Sequence, residues 1–97
     1  MSKEKMKTAD LIPYREVNRT IIITPDKNID ESNSSIFQET LRKLFRDGYI
    51  RFVVDLSEVS YLASSAWGII VAMTEQVAAK GGRLSLCNVG PGLRQII

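Results

Sequence analysis

The chain has 97 residues, 44% of them apolar and 25% charged, the composition of one small globular domain and not of a disordered or fibrous chain. It has no histidine and a single cysteine, which removes the commonest general base and zinc ligand and leaves no internal disulfide or thiolate metal site. The formal net charge of +2 comes from Lys3, Lys5 and Lys7 against Glu4, so the rest of the chain is neutral and carries no basic stripe suited to nucleic acid.

Residues 1–10, "MSKEKMKTAD", read as a flexible, charged N-terminal tail without the apolar run of a signal peptide, and no stretch approaches the ~18 apolar residues of a membrane span. A cytoplasmic protein is expected, with no direct membrane insertion and with Cys87 as a small core residue in a reducing compartment. Residues 11–97 read as one domain.

"LIPYREV" (11–17) and "RTIIITP" (19–25) are expected to form a hairpin turning near Val17, Asn18 and Arg19, with Pro25 ending the second strand. Phe37, Leu41, Leu44 and Phe45 then share one face of a helix, whose start is either a capping box of Ser35 and Gln38 or lies nearer Asp30, and whose end is suited by Gly48. "YIRFVVDL" (49–56) is a β-branched and aromatic run that reads as a buried strand, far enough from the second strand for a parallel crossover. Ala66, Ile69, Ile70, Met73 and Val77 keep helical spacing up to Gly81 and Gly82, and "RLSLCNV" (83–89) reads as a fourth strand. Pro91 opens a last helix whose stripe, Leu93, Ile96 and Ile97, is expected to be truncated. The order is that of an α/β domain on a mixed four-stranded sheet with packed helices.

"YLASSAWGIIVAM" (61–73) places two serines where the third strand gives way to the second helix. A serine there caps exposed backbone N–H groups, worth about 1 kcal/mol. A phosphate on it would face the same donors and the positive end of the helix dipole, so Ser64 suits both cap and phosphoacceptor. Nucleophilic catalysis needs a nearby base, and none is present. No phosphate loop or cofactor motif occurs either, so neither an enzyme nor a bound cofactor is expected. Trp67 lies one residue off the apolar stripe, on a face with Val71, Thr74 and Ala78, while Gly68 and Ala72 form a small pair one turn apart.

The element order and the segment "FVVDLSEVSYLASSAWGIIVAM" resemble the STAS family, the domain of anti-sigma factor antagonists and of the cytoplasmic ends of sulphate transporters. The resemblance spans residues 11–97 and is strongest over 52–73. It implies a STAS-like sheet and a role in bacterial partner switching, in which the unmodified domain binds an anti-sigma factor that is also a serine kinase. Phosphorylation breaks that complex and a PP2C-type phosphatase restores it. Carried onto this chain, the resemblance makes Ser64 the phosphoacceptor, with Ser65 as the alternative. It puts Asp30, Ala63, Ser65, Ala66, Trp67, Gly68 and Val71 at the partner surface. The family motif Asp-Ser-Ser-Gly is altered here, with Ala63 in place of Asp and Ala66 in place of Gly. A second role that the resemblance admits is a STAS adaptor that is never phosphorylated, held in a larger regulatory or transporter complex. The short last helix raises the expectation of a second copy of the chain covering the sheet.

Overall fold

The computed structural model describes residues 12–94. The expected tail, and Ile96 and Ile97 of the last helix, lie outside those residues. The elements in chain order are β1 (Tyr14–Val17), β2 (Thr20–Ile23), α1 (Ser34–Arg46), β3 (Arg51–Asp55), α2 (Ser64–Ala79), β4 (Arg83–Cys87) and α3 (Pro91–Arg94).

The hairpin closes where expected. Val17 pairs with Thr20, and the two residues between them, Asn18 and Arg19, have φ of 50° and 69°. Positive φ at both central positions is what a primed two-residue turn requires, because its twist matches that of the strands. β2 then pairs parallel with β3, and β3 with β4, so the sheet order β1-β2-β3-β4 follows the sequence.

That order decides where the helices go. The crossovers β2-α1-β3 and β3-α2-β4 advance across the sheet in the same direction, and right-handed crossovers of one direction place their helices on one face. The burial pattern agrees. Ile21, Ile23, Phe52 and Val54 on that face are buried against Phe37, Leu41 and Leu44 of α1 and Ala66, Ile70, Met73 and Val77 of α2. The alternate strand residues, among them Ile22, Val53 and Ser85, point the other way and are half-buried.

Both long helices end in the same device. Gly48 follows α1 at φ 102°, and the Gly48 and Tyr49 N–H groups donate to the carbonyls of Phe45 and Leu44. Gly81 follows α2 at φ 83°, and Gly81 and Gly82 donate to Ala78 and Val77. This is the Schellman pattern, which satisfies the last carbonyls at a left-handed residue. The start of α1 differs from the expected capping box. Asn33 occupies the cap position, and its side chain accepts from the Asp30 N–H instead of capping the helix. Thr40, fully buried, donates its hydroxyl to the Ile36 carbonyl and accepts the N–H of Ile12. One helix hydroxyl thus ties down the chain before β1.

Candidate functional site

The site lies at the C-terminal end of β3, the end of a parallel sheet where α/β domains place their binding residues. After Asp55 the chain makes a loop, Leu56 to Ala63, before α2 begins. Leu56, Val59 and Leu62 in that loop are buried. A second segment runs beside it: Ile29 bridges Leu62 in parallel, its N–H donating to the Tyr61 carbonyl and its carbonyl accepting from Ala63.

Polar side chains lock the two segments together. The Asn28 side-chain oxygen accepts from the N–H groups of Ser60 and Tyr61 and from the Ser60 hydroxyl. The Asn33 side-chain amide donates to the Asn28 carbonyl. Asp30 accepts the backbone N–H and the hydroxyl of Ser32, at 2.9 and 2.6 Å, and the Ser32 hydroxyl foremost holds its carboxyl below the usual range. Asp30 therefore closes a turn on its own segment, and the Ile29 bridge sets that turn beside the residues leading into α2.

On the other side, Asp55 accepts from the side-chain amide of Asn88 and from the Ser57 N–H. These bonds, that of Asn88 foremost, lower its pKa. Burial, with Asp55 adding to it, pushes the Cys87 thiol up. A thiol raised by burial is a poor nucleophile.

α2 starts at Ser64, and the residue in the cap position is Ala63, with φ −66° and ψ 160°. The expectation that Ser64 caps the helix is therefore corrected: it is the first helical residue, and no side chain caps α2. An N-terminal helix start leaves its first N–H groups without intrahelical acceptors. Those donors, with no acidic residue in the first turn, are what an added phosphate would meet.

Two of the residues expected at the partner surface are interior. Ala63 and Ala66 are fully buried, the first against the Ile29 bridge and the second in the core between helix and sheet, so neither side chain can touch a partner. Ser64, Ser65, Gly68 and Val71 are exposed, and Trp67 is half-buried. Val71, at 56%, is the most exposed of the large apolar side chains described. Ser64, Trp67, Ile70, Val71, Thr74, Glu75 and Leu86 line one groove of about 660 Å³ between α2 and β4. Ser64 stands in it, and Ser65 does not. The Trp67 Nε1 is shielded from solvent and has no hydrogen-bond acceptor among the described residues.

Helical phase alone pointed to Trp67, Val71 and Thr74; Ala78 shares the phase but does not line the groove. Leu86 and Glu75 were missed because the groove exists only once β4 lies beside α2. The Asn28 lock was missed because its partners are 32 and 33 residues away, and no local pattern marks such a pair. Among the described residues, no group of three or more Cys, Asp or Glu side chains is placed to hold a metal ion. Nor is any helix among them long and apolar enough to cross a membrane.

A mixed sheet clad by helices on one face, with Ser64 in the wall of an apolar groove beside an uncapped helix start, defines the class: an α/β domain with a candidate binding surface. The family model for the STAS domain matches residues 12–97, and the chain belongs to that family. A Thermotoga neapolitana protein named as a candidate anti-sigma factor antagonist is 24% identical over 88 residues, covering 90% of this chain and 78% of that one. A STAS-domain protein of Pseudomonas aeruginosa is 35% identical over 60 residues, 55% of this chain and 59% of its own. Among solved structures, that of a candidate anti-sigma factor antagonist from Thermotoga maritima superposes with a TM-score of 0.83 at 23% identity, over 88% of this chain and 74% of that one. The Bacillus anti-sigma factor antagonist SpoIIAA in its phosphorylated form superposes with a TM-score of 0.74 at 20% identity, over 88% and 78% of the two chains. At these identities the superpositions speak for the fold.

Proposed function

We propose that the protein is an anti-sigma factor antagonist whose binding to an anti-sigma factor with serine kinase activity is switched off by phosphorylation of Ser64. The observation that carries this reading is the place of Ser64: exposed, at the free N-terminus of α2, and part of the wall of an apolar groove with Trp67, Val71 and Leu86. An apolar groove favours a partner that buries apolar side chains in it. A phosphate brings a charge of about −1.5 to −2, and at the edge of such an interface it must be desolvated for the partner to seat. On the free protein the same phosphate is tolerated by the helix dipole and the unpaired N–H groups. The modification thus acts on the complex and leaves the fold intact. A PP2C-type phosphatase would reset the switch, and no catalysis by the domain itself is involved.

Ser65 is exposed but outside the groove, so a phosphate there would touch the interface less. Asp30, Ser65 and Gly68 would form the rim of the partner surface, with Trp67 and Val71 at its centre. A second reading, a permanently bound STAS adaptor, draws on Ala63: the chain lacks the carboxylate that the family motif places before the acceptor.

The test is incubation of the protein with ATP and an anti-sigma kinase from the same cell, followed by phosphopeptide mapping and co-purification of wild type, Ser64→Ala and Ser65→Ala. Phosphate lost only in Ser64→Ala, with the kinase retained only by unmodified protein, is the expected result. A kinase or other partner held equally by modified and unmodified protein would leave the adaptor.

A further inference from the structure

The face of the sheet opposite the helices has no cover among the described residues. Both crossovers send their helices to one side, so the parallel strands β2, β3 and β4 are clad on one face only. Parallel sheets are ordinarily covered on both faces, because each βαβ strand is apolar enough to need it. Here Ile22 and Val53 sit side by side on the open face, both half-buried, in a cross-strand row that runs Arg15, Ile22, Val53, Ser85.

The charges on that face are unusual. Arg51 and Arg83 are directly paired across β3 and β4, both exposed. Like charges placed opposite each other destabilise a sheet. Among the described residues the ion pairs are Lys43–Asp47 and Arg46–Glu39, so neither arginine is ion-paired there. The two arginines, with Thr20, Val53 and Ser85, line a cleft of about 460 Å³. The acidic residue of the face is Asp55, already engaged by Asn88 and Ser57 and influenced by Arg15.

We propose that this open face docks an acidic amphipathic helix of a partner protein. The Ile22–Val53 pair receives its apolar stripe, and carboxylates one turn apart on the helix reach Arg51 and Arg83. The spacing suits this occupant. Paired residues on adjacent strands are about 4.8 Å apart, and side chains at i and i+4 of a helix about 5–6 Å. Bidentate arginine–carboxylate pairs would then relieve the like-charge opposition. Phe52 is the aromatic residue of the cleft's lining, and its side chain is buried in the core beneath the helices, so the cleft offers no open ring to stack a base, which favours a protein over a single-stranded nucleic acid.

This surface is separate from the Ser64 groove, and the experiment keeps the two apart. The full chain, labelled with ¹⁵N, is titrated with a synthetic amphipathic helix bearing a Leu stripe flanked by Glu at i and i+4. Controls are the same peptide with Lys for Glu, and duplex DNA. The expected result is shifts centred on Ile22, Val53 and Ser85, with affinity reduced about tenfold or more in R51Q/R83Q and further by salt. Ser64→Asp and Trp67→Ala should leave that affinity unchanged. R51Q/R83Q should melt no lower than wild type, so its loss of binding cannot be read as unfolding. Shifts confined to α2, equal binding of the Lys peptide, or tighter binding of DNA at the same strands would each overturn the proposal.

Discussion

If phosphorylation of Ser64 acts on an interface and not on the fold, a negative charge at that position must not destabilise the free protein. Ser64→Asp tests this without a partner. Ser64 is exposed, is the first residue of α2, and enters a first turn that has no acidic side chain and no side-chain cap. A carboxylate at such a place gains about 0.3–1 kcal/mol from the helix dipole. For a domain of this size 1 kcal/mol moves Tm by about 4–8 °C, so Ser64→Asp should melt roughly 1–8 °C higher than wild type. The gain is electrostatic at an exposed site, so it should shrink to near zero in about 1 M salt, where the Debye length is about 3 Å. Ser64→Lys should shift Tm in the opposite direction. Thermal unfolding followed by circular dichroism at low and high salt measures all three. A Ser64→Asp protein that melts several degrees lower, or whose gain survives high salt, would refute the account of the helix start and with it the claim that the modified domain stays folded.

Three further outcomes follow from the same geometry. Ala63 holds the cap position of α2 without a capping side chain, so Ala63→Asp should raise stability by up to about 1 kcal/mol if its carboxylate reaches the free N–H groups; because Ala63 is fully buried, a loss of more than about 2 kcal/mol in denaturant titration would show an unpaired buried charge instead. A Cβ on Gly82 would overlap the Ile50 carbonyl oxygen and crowd the Ile50 Cβ, so Gly82→Ala must displace the backbone where β4 joins β3, and a loss of about 3 kcal/mol or more in chemical denaturation is expected, as for severe overpacking. Asp55 has its pKa lowered by the Asn88 and Ser57 bonds; a depressed carboxylate contributes stability that is complete above its unfolded pKa of about 3.9 and is lost as pH falls through the lower folded value. Asp55→Asn should therefore flatten the stability profile below about pH 4 in acid titrations, leaving its slope near neutrality unchanged.

The sequence was most legible where a pattern is local. The positions of the four strands, the two long helices and the Gly48 and Gly81 stops follow from periodicity and from the left-handed residues that helix ends need. The order of the strands was not stated by any pattern. It needs the handedness of the crossovers, and from it come both the groove and the open face. Where the site was misread, tertiary contacts had overruled local chemistry. Ser35 and Gln38 fit a capping box, yet Asn33 takes the cap position because its side chain is bound to the turn of Asn28 and Asp30. Ser64 resembles a cap, yet the extended backbone that the bridge of Ile29 to Leu62 holds ends at Ala63, so that the helix begins one residue earlier and the cap position falls on Ala63.

That one-residue difference bears on the proposed switch. A serine in the cap position would turn its oxygen toward the helix N–H groups, and a kinase would have to break that bond before transferring phosphate. At the first helical position the Ser64 hydroxyl makes no such bond, and Ser64 lines the groove that a partner would fill. The buried alanine at the cap then has two effects that oppose each other. It leaves α2 less stable by about 1 kcal/mol than a capped helix, and it leaves the N–H groups free to receive a phosphate. Restoring the carboxylate with Ala63→Asp should therefore lower the stabilisation that Ser64→Asp brings, because two acids would compete for the same donors and repel each other. A double-mutant cycle on Tm reads this directly: a coupling of about 0.5 kcal/mol or more against the pair is expected, and strict additivity would mean that residues 63 and 64 do not share one set of N–H groups.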